Sequence, residues 1–136
     1  MKEIFREVAS LVIYNPITNK FLVQDRTSIS KYGEEVTFFG WWLDEGESPI
    51  QAAQRESQEE LGIKFNEYIY LGTFTHDMWW KNYIRNLFLI ITNIKNFNDM
   101  EGDGAIWLTL EEAEKKRFTT DIKWEFSSIK KYLQLS

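Results

Sequence analysis

Four glutamates in the first half of the chain stand at spacings that suit metal-assisted chemistry. Glu47 is followed, after seven intervening residues, by Arg55-Glu56-Ser57-Gln58-Glu59-Glu60. On a helix turning about 100° per residue, Glu56, Glu59 and Glu60 share one face, while Ile50, Ala53, Ser57 and Leu61 form a separate and mostly apolar stripe. Such a helix packs by its stripe and presents three carboxylates elsewhere. Like charges three and four residues apart repel by roughly a few tenths of a kcal/mol per pair, so local helix physics does not favour the arrangement. Hard cations such as Mg²⁺ or Mn²⁺ do favour it, because they take carboxylate oxygens and leave room for substrate phosphates. A solvated acidic face has the same spacing, so spacing alone leaves both readings open.

The longer pattern narrows the choice. Glu47, Arg55-Glu56, Glu59-Glu60, Gly62 and Ile63, at these offsets, resemble the Nudix box, the loop-helix-loop signature of hydrolases that act on nucleoside diphosphates linked to another group. Phe38-Phe39-Gly40 is similar to the strand that leads into that box, and the resemblance covers nearly the whole chain. It implies an α/β (α+β) fold, a Nudix-type α/β/α sandwich around a central mixed β-sheet. It also implies that Glu56, Glu59 and Glu60 supply metal carboxylates, that the Gly40 backbone carbonyl adds a ligand, and that Arg55 and Glu47 brace the loop against the helix. Bidentate Arg-carboxylate geometry is suited to such bracing. The implied cofactor is Mg²⁺, with Mn²⁺ as a substitute. The sequence departs from the family pattern in carrying Trp41 where the box opens with Gly, Ser57 where an aliphatic residue is usual, and Asp44 where Glu is common.

The resemblance extends to the rest of the site. In the family either a box glutamate or an acid on a separate loop serves as base, which makes Glu101 a candidate, with Asp103 beside it; the alternative is a glycine-rich turn with solvated acids. Arg26 occupies a position where the family often has a basic residue near the phosphates, and a surface Arg is the competing reading. Arg85 and Lys81 are weaker forms of the same idea. Trp41, Trp42, Trp79 and Trp80 could stack on a nucleobase, although one of two adjacent aromatics on a strand points inward in any case. His76 is the only histidine, and an ordinary surface or hydrogen-bonded role is favoured for it over phosphate binding or action as a base.

The elements that must position these groups are legible in outline. Residues 8–14 and 20–24 are β-rich runs joined by Asn15-Pro16-Ile17-Thr18-Asn19, a hairpin signal. Residues 25–35 are polar, 36–39 form a short apolar run ending at Gly40, and 41–47 read as a loop. Ser48-Pro49-Ile50-Gln51 combines a capping Ser, a Pro at the first helical position and a Gln three residues after the cap, so a helix is predicted from there to about Leu61, stopping at Gly62. Strands are predicted over 68–75 and 84–92 with a loop over 76–82 between them. A polar loop over 93–104, a short strand over 105–109 and helices over 110–117 and 122–133 complete the chain, the last with Ile122, Phe126, Ile129 and Leu133 on one face. A mixed sheet covered by helices is the expected architecture.

Composition bounds the rest. The 136 residues suit a single domain over 1–136. A formal charge of −5 gives no general attraction for a phosphate backbone, so the expected partner is a small-molecule nucleotide rather than polymeric nucleic acid. With no cysteine there is no thiolate metal site, cysteine nucleophile or disulfide, which suits a reducing compartment. The first sixteen residues lack the pattern of a signal peptide, and the longest apolar run is too short to span a bilayer, so no membrane role is expected and a cytoplasmic location is. Many members of the family are dimers, and a homodimer is compatible with the sequence, but no apolar edge identifies an interface.

Three functions compete. The first is Mg²⁺-dependent hydrolysis of a phosphoanhydride in a nucleoside di- or triphosphate derivative. The second is a nucleotide-binding or regulatory module of the same fold with little catalysis, suggested by Trp41. The third, carbohydrate binding, rests only on the aromatic content of 16%.

Overall fold

The computed structural model describes residues 5–29, 33–78, 81–94, 104–118 and 122–135. In chain order these form β1 (Phe5–Asn15), β2 (Lys20–Asp25), a 3-10 turn (Thr27–Ile29), β3 (Val36–Thr37), β4 (Phe39–Trp42), α1 (Pro49–Leu61), β5 (Ile69–Met78), β6 (Lys81–Ile91), β7 (Ala105–Thr109), α2 (Leu110–Lys115) and α3 (Lys123–Leu133). The seven strands make one mixed sheet ordered β3-β2-β1-β6-β5, with β4 pairing to β1 and β7 to β2. β1 and β6 run parallel, from Phe5 opposite Asn82 to Tyr14 opposite Ile91. A parallel pair needs a crossover connection, and α1 lies within this one.

Strand alternation divides the core. Ala9, Leu11 and Ile13 of β1, with Leu22, Phe88 and Ile90, face Ala52, Ala53 and Leu61 of α1. Val12 and Tyr14, with Phe21, Val23, Leu87 and Leu89, face Ile122, Phe126 and Ile129 at the C-terminal helix. The central strands are therefore buried on both sides, and α1 and α3 lie on opposite faces of the sheet. This is the expected helix-covered mixed sheet.

Several boundaries differ from the sequence reading. The run over 36–39 divides: Val36-Thr37 pairs with β2, whereas Phe39–Trp42 pairs with β1, opposite Leu11, Ser10, Ala9 and Val8. Trp41 and Trp42 thus belong to a strand and not to a loop, because pairing with β1 and the β-preference of aromatics outweigh the missing period-2 pattern. The loop over 76–82 is replaced by the end of β5 and the start of β6, paired from His76 opposite Tyr83 to Met78 opposite Lys81. β1 begins at Phe5, earlier than its apolar run, since long-range pairing with β6 extends it. α2 ends at Lys115, short of 117.

Candidate active site

The helix that carries the acidic face is fixed at both ends. Ser48 Oγ accepts from the Gln51 backbone N–H at 3.3 Å, and the Gln51 side chain accepts from the Ser48 N–H at 2.9 Å. Both groups are orphan donors of the first turn, so this reciprocal cap sets the first residue of α1. Gly62 ends the helix in the left-handed region at φ 75°, a conformation that glycine adopts without Cβ strain. Between these ends Ala52, Ala53, Ser57 and Leu61 are buried, so α1 has a single rotational setting. Ser57, at the family's aliphatic position, retains that burial by meeting Tyr68 Oη at 2.7 Å and donating to the Gln54 carbonyl at 3.2 Å.

That setting keeps Glu56, Glu59 and Glu60 off the buried stripe, with Glu60 towards Trp41 of β4. Arg55 lies among them. Its Nε donates to Glu47 Oε2 at 2.7 Å and its Nη2 to Glu47 Oε1 at 2.9 Å, a bidentate pair. Its Nη2 is also 3.3 Å from Asp44, while Nη1 donates to Glu56 and stands 3.5 Å from Glu59. One guanidinium therefore meets four carboxylates, tying the loop that contains Asp44 and Glu47 to the second turn of α1. Asp44 at the family's Glu position keeps a carboxylate in this network.

The brace has an electrostatic consequence. Hydrogen bonds from Arg55, and then from the Asp44 backbone N–H, lower the Glu47 carboxyl to about pKa 2, while Glu47 and Glu56 raise the guanidinium above its ordinary value. Because the folded value lies below the unfolded one of about 4.3, the stabilisation is complete above the unfolded value. It is lost as pH falls through about 2. In thermal melts the wild type should exceed Glu47→Gln in stability at pH 6 and lose that advantage towards pH 2. An advantage unchanged over this range would contradict the brace.

The three box glutamates divide between two partners. Glu56 and Glu59 turn to Arg55, whereas Glu60 accepts from the Trp41 indole Nε1–H. Among the described residues no three Asp, Glu or His side chains converge as a metal cage. The donor set nevertheless suits a hard cation, since Glu56 and Glu59 already approach one cationic atom, Arg55 Nη1, from two sides. Gly40 lies on β4 opposite Ser10, and a Cβ added there would meet Ser10 Oγ at 3.1 Å, so a larger residue would require the Ser10 side chain to give way by a few tenths of an ångström.

Trp41 stacks along Phe39, with ring centroids 6.5 Å apart, on the α1 side of the sheet. Trp42, on the other side, is 38% exposed and lies beneath the Arg6 guanidinium, 3.9 Å from the ring centroid. Arg26 follows β2, and its backbone N–H donates to the Glu35 carbonyl at 2.8 Å; its Nε is buried without a hydrogen-bond partner among the described residues. Arg85 is buried beside Tyr83 and donates to its hydroxyl at 3.3 Å. Lys81 opens β6. Glu101, Asp103, Trp79 and Trp80 lie outside the described residues.

His76 has a partner that the sequence reading did not single out. Its Nε2 meets Glu125 Oε1 at 2.7 Å, and its ring stacks on Tyr83 with centroids 5.0 Å apart. Glu125 lies three residues after Ile122 and four before Ile129, within the apolar face of α3. A carboxylate at that point of an apolar stripe was the available signal.

The chain is similar to known proteins. A family model for the NUDIX domain matches residues 4–128. The 8-oxo-dGTP diphosphatase of Proteus vulgaris is 36% identical over 89 residues, which are 65% of this chain and 78% of that protein. Among solved structures, the crystal structure of a MutT NUDIX hydrolase from Burkholderia pseudomallei superimposes with TM-score 0.76 at 19% identity, covering 93% of this chain and 99% of that one. The NUDIX domain of Shewanella oneidensis NrtR, cocrystallised with ADP ribose, gives TM-score 0.77 at 14% identity, covering 96% and 90%. At these identities the two structures speak to the fold. The family match and the diphosphatase relative go further: this chain belongs to the Nudix family and is a MutT-like Nudix hydrolase.

Proposed function

We propose that the chain hydrolyses a phosphoanhydride bond in a nucleoside di- or triphosphate derivative with the help of Mg²⁺, or of Mn²⁺ in its place, and that 8-oxo-dGTP is the first substrate to test. One observation carries the reading: the Glu47–Arg55 brace fixes a helix that carries Glu56, Glu59 and Glu60 off its buried stripe. The relative's diphosphatase activity supplies the substrate class. Glu56, Glu59, Glu60 and the Gly40 carbonyl would hold the cation. A cation so held neutralises the diphosphate and lowers the pKa of a bound water.

The remaining steps belong to the protein's own groups. Water oxygen attacks phosphorus, the bridging P–O bond breaks, and the proton lost by the water passes to a carboxylate, either a box glutamate or Glu101. Arg26 meets the phosphates, a role supported by its buried Nε, which lacks a partner among the described residues. Trp42 and Trp79 are the candidates to stack on the base, with a single stack worth about 1–3 kcal/mol in nucleic-acid binders. Trp41 is directed to Glu60, so its contribution to substrate binding would be made through that carboxylate.

Among the described residues no helix is long and apolar enough to cross a membrane. The absence of cysteine supports a reducing, cytoplasmic setting. The test is pyrophosphate and phosphate release from 8-oxo-dGTP, dGTP, ADP-ribose and a dinucleoside polyphosphate, with Mg²⁺, with Mn²⁺ and with EDTA. Turnover of at least one nucleotide that EDTA abolishes is expected. Nucleotide binding without turnover across the panel would instead favour the binding-module reading.

A further inference from the structure

We infer that Trp41 is a latch on Glu60 that sets how tightly the acidic face takes its cation, an inference that rests on the cation-dependent reading above. The indole N–H is a donor with no acceptor capacity, and it is spent on Glu60 Oε2. The other two carboxylates are held elsewhere, by Arg55 Nη1. The protein therefore supplies hydrogen-bond donors to Glu60 and Glu56 and sets Glu59 3.5 Å from the same guanidinium, so the three carboxylates fall in two separate groups. A divalent cation that takes Glu60 through the same oxygen, Oε2, has to displace the indole, which is the competition proposed here, and it competes with the guanidinium for the other two.

The two competitors differ in kind. Arg55 remains anchored by its bidentate pair with Glu47 whether or not it donates to Glu56, so its position does not depend on the glutamates of the acidic face. Trp41 Nε1–H has Glu60 as its partner, and the ring is kept in place by β4 pairing with β1 and by Phe39 alongside. A glycine at this position could make no such bond. Trp41 is thus a positioning residue, and its N–H is the separable part of the latch.

Trp41→Phe keeps an aromatic ring beside Phe39 and removes the N–H. Calorimetric titration with Mn²⁺ alone, without nucleotide, should show this variant binding about three- to tenfold tighter than wild type, the scale of one hydrogen bond in a partly solvated place. A second measurement leaves Trp41 intact: the indole N–H resonances of ¹⁵N-labelled protein, in which the signal missing from Trp41→Phe identifies Trp41. That signal should move in Glu60→Gln and on addition of Mg²⁺ to wild type. Equal Mn²⁺ affinities in wild type and Trp41→Phe, or an indole signal indifferent to Glu60→Gln, would overturn the latch and leave the hydrolase reading standing. Failure of both proteins to bind Mn²⁺ would overturn the cation reading and the latch with it, and weaker binding by Trp41→Phe than by wild type would overturn the latch alone.

Discussion

Glu60→Gln and Glu59→Gln should each lower turnover by on the order of 10³-fold with Mg²⁺ present, and Glu59→Gln should do so with a change in folding stability within about 0.5 kcal/mol. The size follows from a comparison: outer-shell partners of a metal typically cost about 10- to 100-fold when removed, so a direct carboxylate donor should cost more. The unchanged stability of Glu59→Gln follows from position. The Glu59 side chain is 63% exposed and its nearest cation is 3.5 Å away, so the fold gains little from it. Glu→Gln conserves shape while removing the charge. Substrate release assays and thermal melts on the same preparations separate the two effects. Equal turnover in wild type and both variants would sink the assignment, and a loss of activity matched by a loss of stability would assign the residues to the fold instead.

The contrast between what the sequence conveyed and what it hid has a physical origin. The α1 signals are local: Ser48, Pro49, Gln51 and Gly62 act within one turn of where they stand, so the helix and its carboxylate face were legible in residue order alone. The Glu47–Arg55 pair was legible through the family pattern, and it spans only eight residues. The strand through Trp41 and Trp42 was not, because nothing local distinguishes it; its cause is pairing with β1, about thirty residues earlier. The indole contact with Glu60 is hidden for the same reason, being set by how β4 and α1 meet. The end of the β5–β6 hairpin was not legible because His76-Asp77 has the composition of a polar loop, whereas pairing with Tyr83 and Asn82 of β6, and for His76 a partner on α3, makes it strand. In each case the error lies where a tertiary contact overrides a local preference.

His76→Ala should destabilise the protein by about 3 kcal/mol, the upper end of the cost of leaving a buried polar group without its partner. Glu125 is fully buried on α3; its Oε1 meets His76 Nε2 at 2.7 Å, and its Oε2 has no partner among the described residues. Removing the imidazole would leave the whole carboxyl group buried without a hydrogen bond, and the stacked contact with Tyr83 would go with it. The pair joins α3 to β5 across forty-nine residues of chain, so the loss should loosen the cover of one sheet face rather than a single turn. For a protein of this length the melting temperature should fall by roughly 10 °C. Adding Glu125→Leu to His76→Ala should restore much of the loss, because replacing both partners by apolar groups removes the uncompensated polar atom. The ordering of three melting temperatures decides the matter: wild type highest, the double variant next and His76→Ala lowest. A double variant no more stable than His76→Ala would show that the histidine contributes by packing on Tyr83 and not by satisfying Glu125.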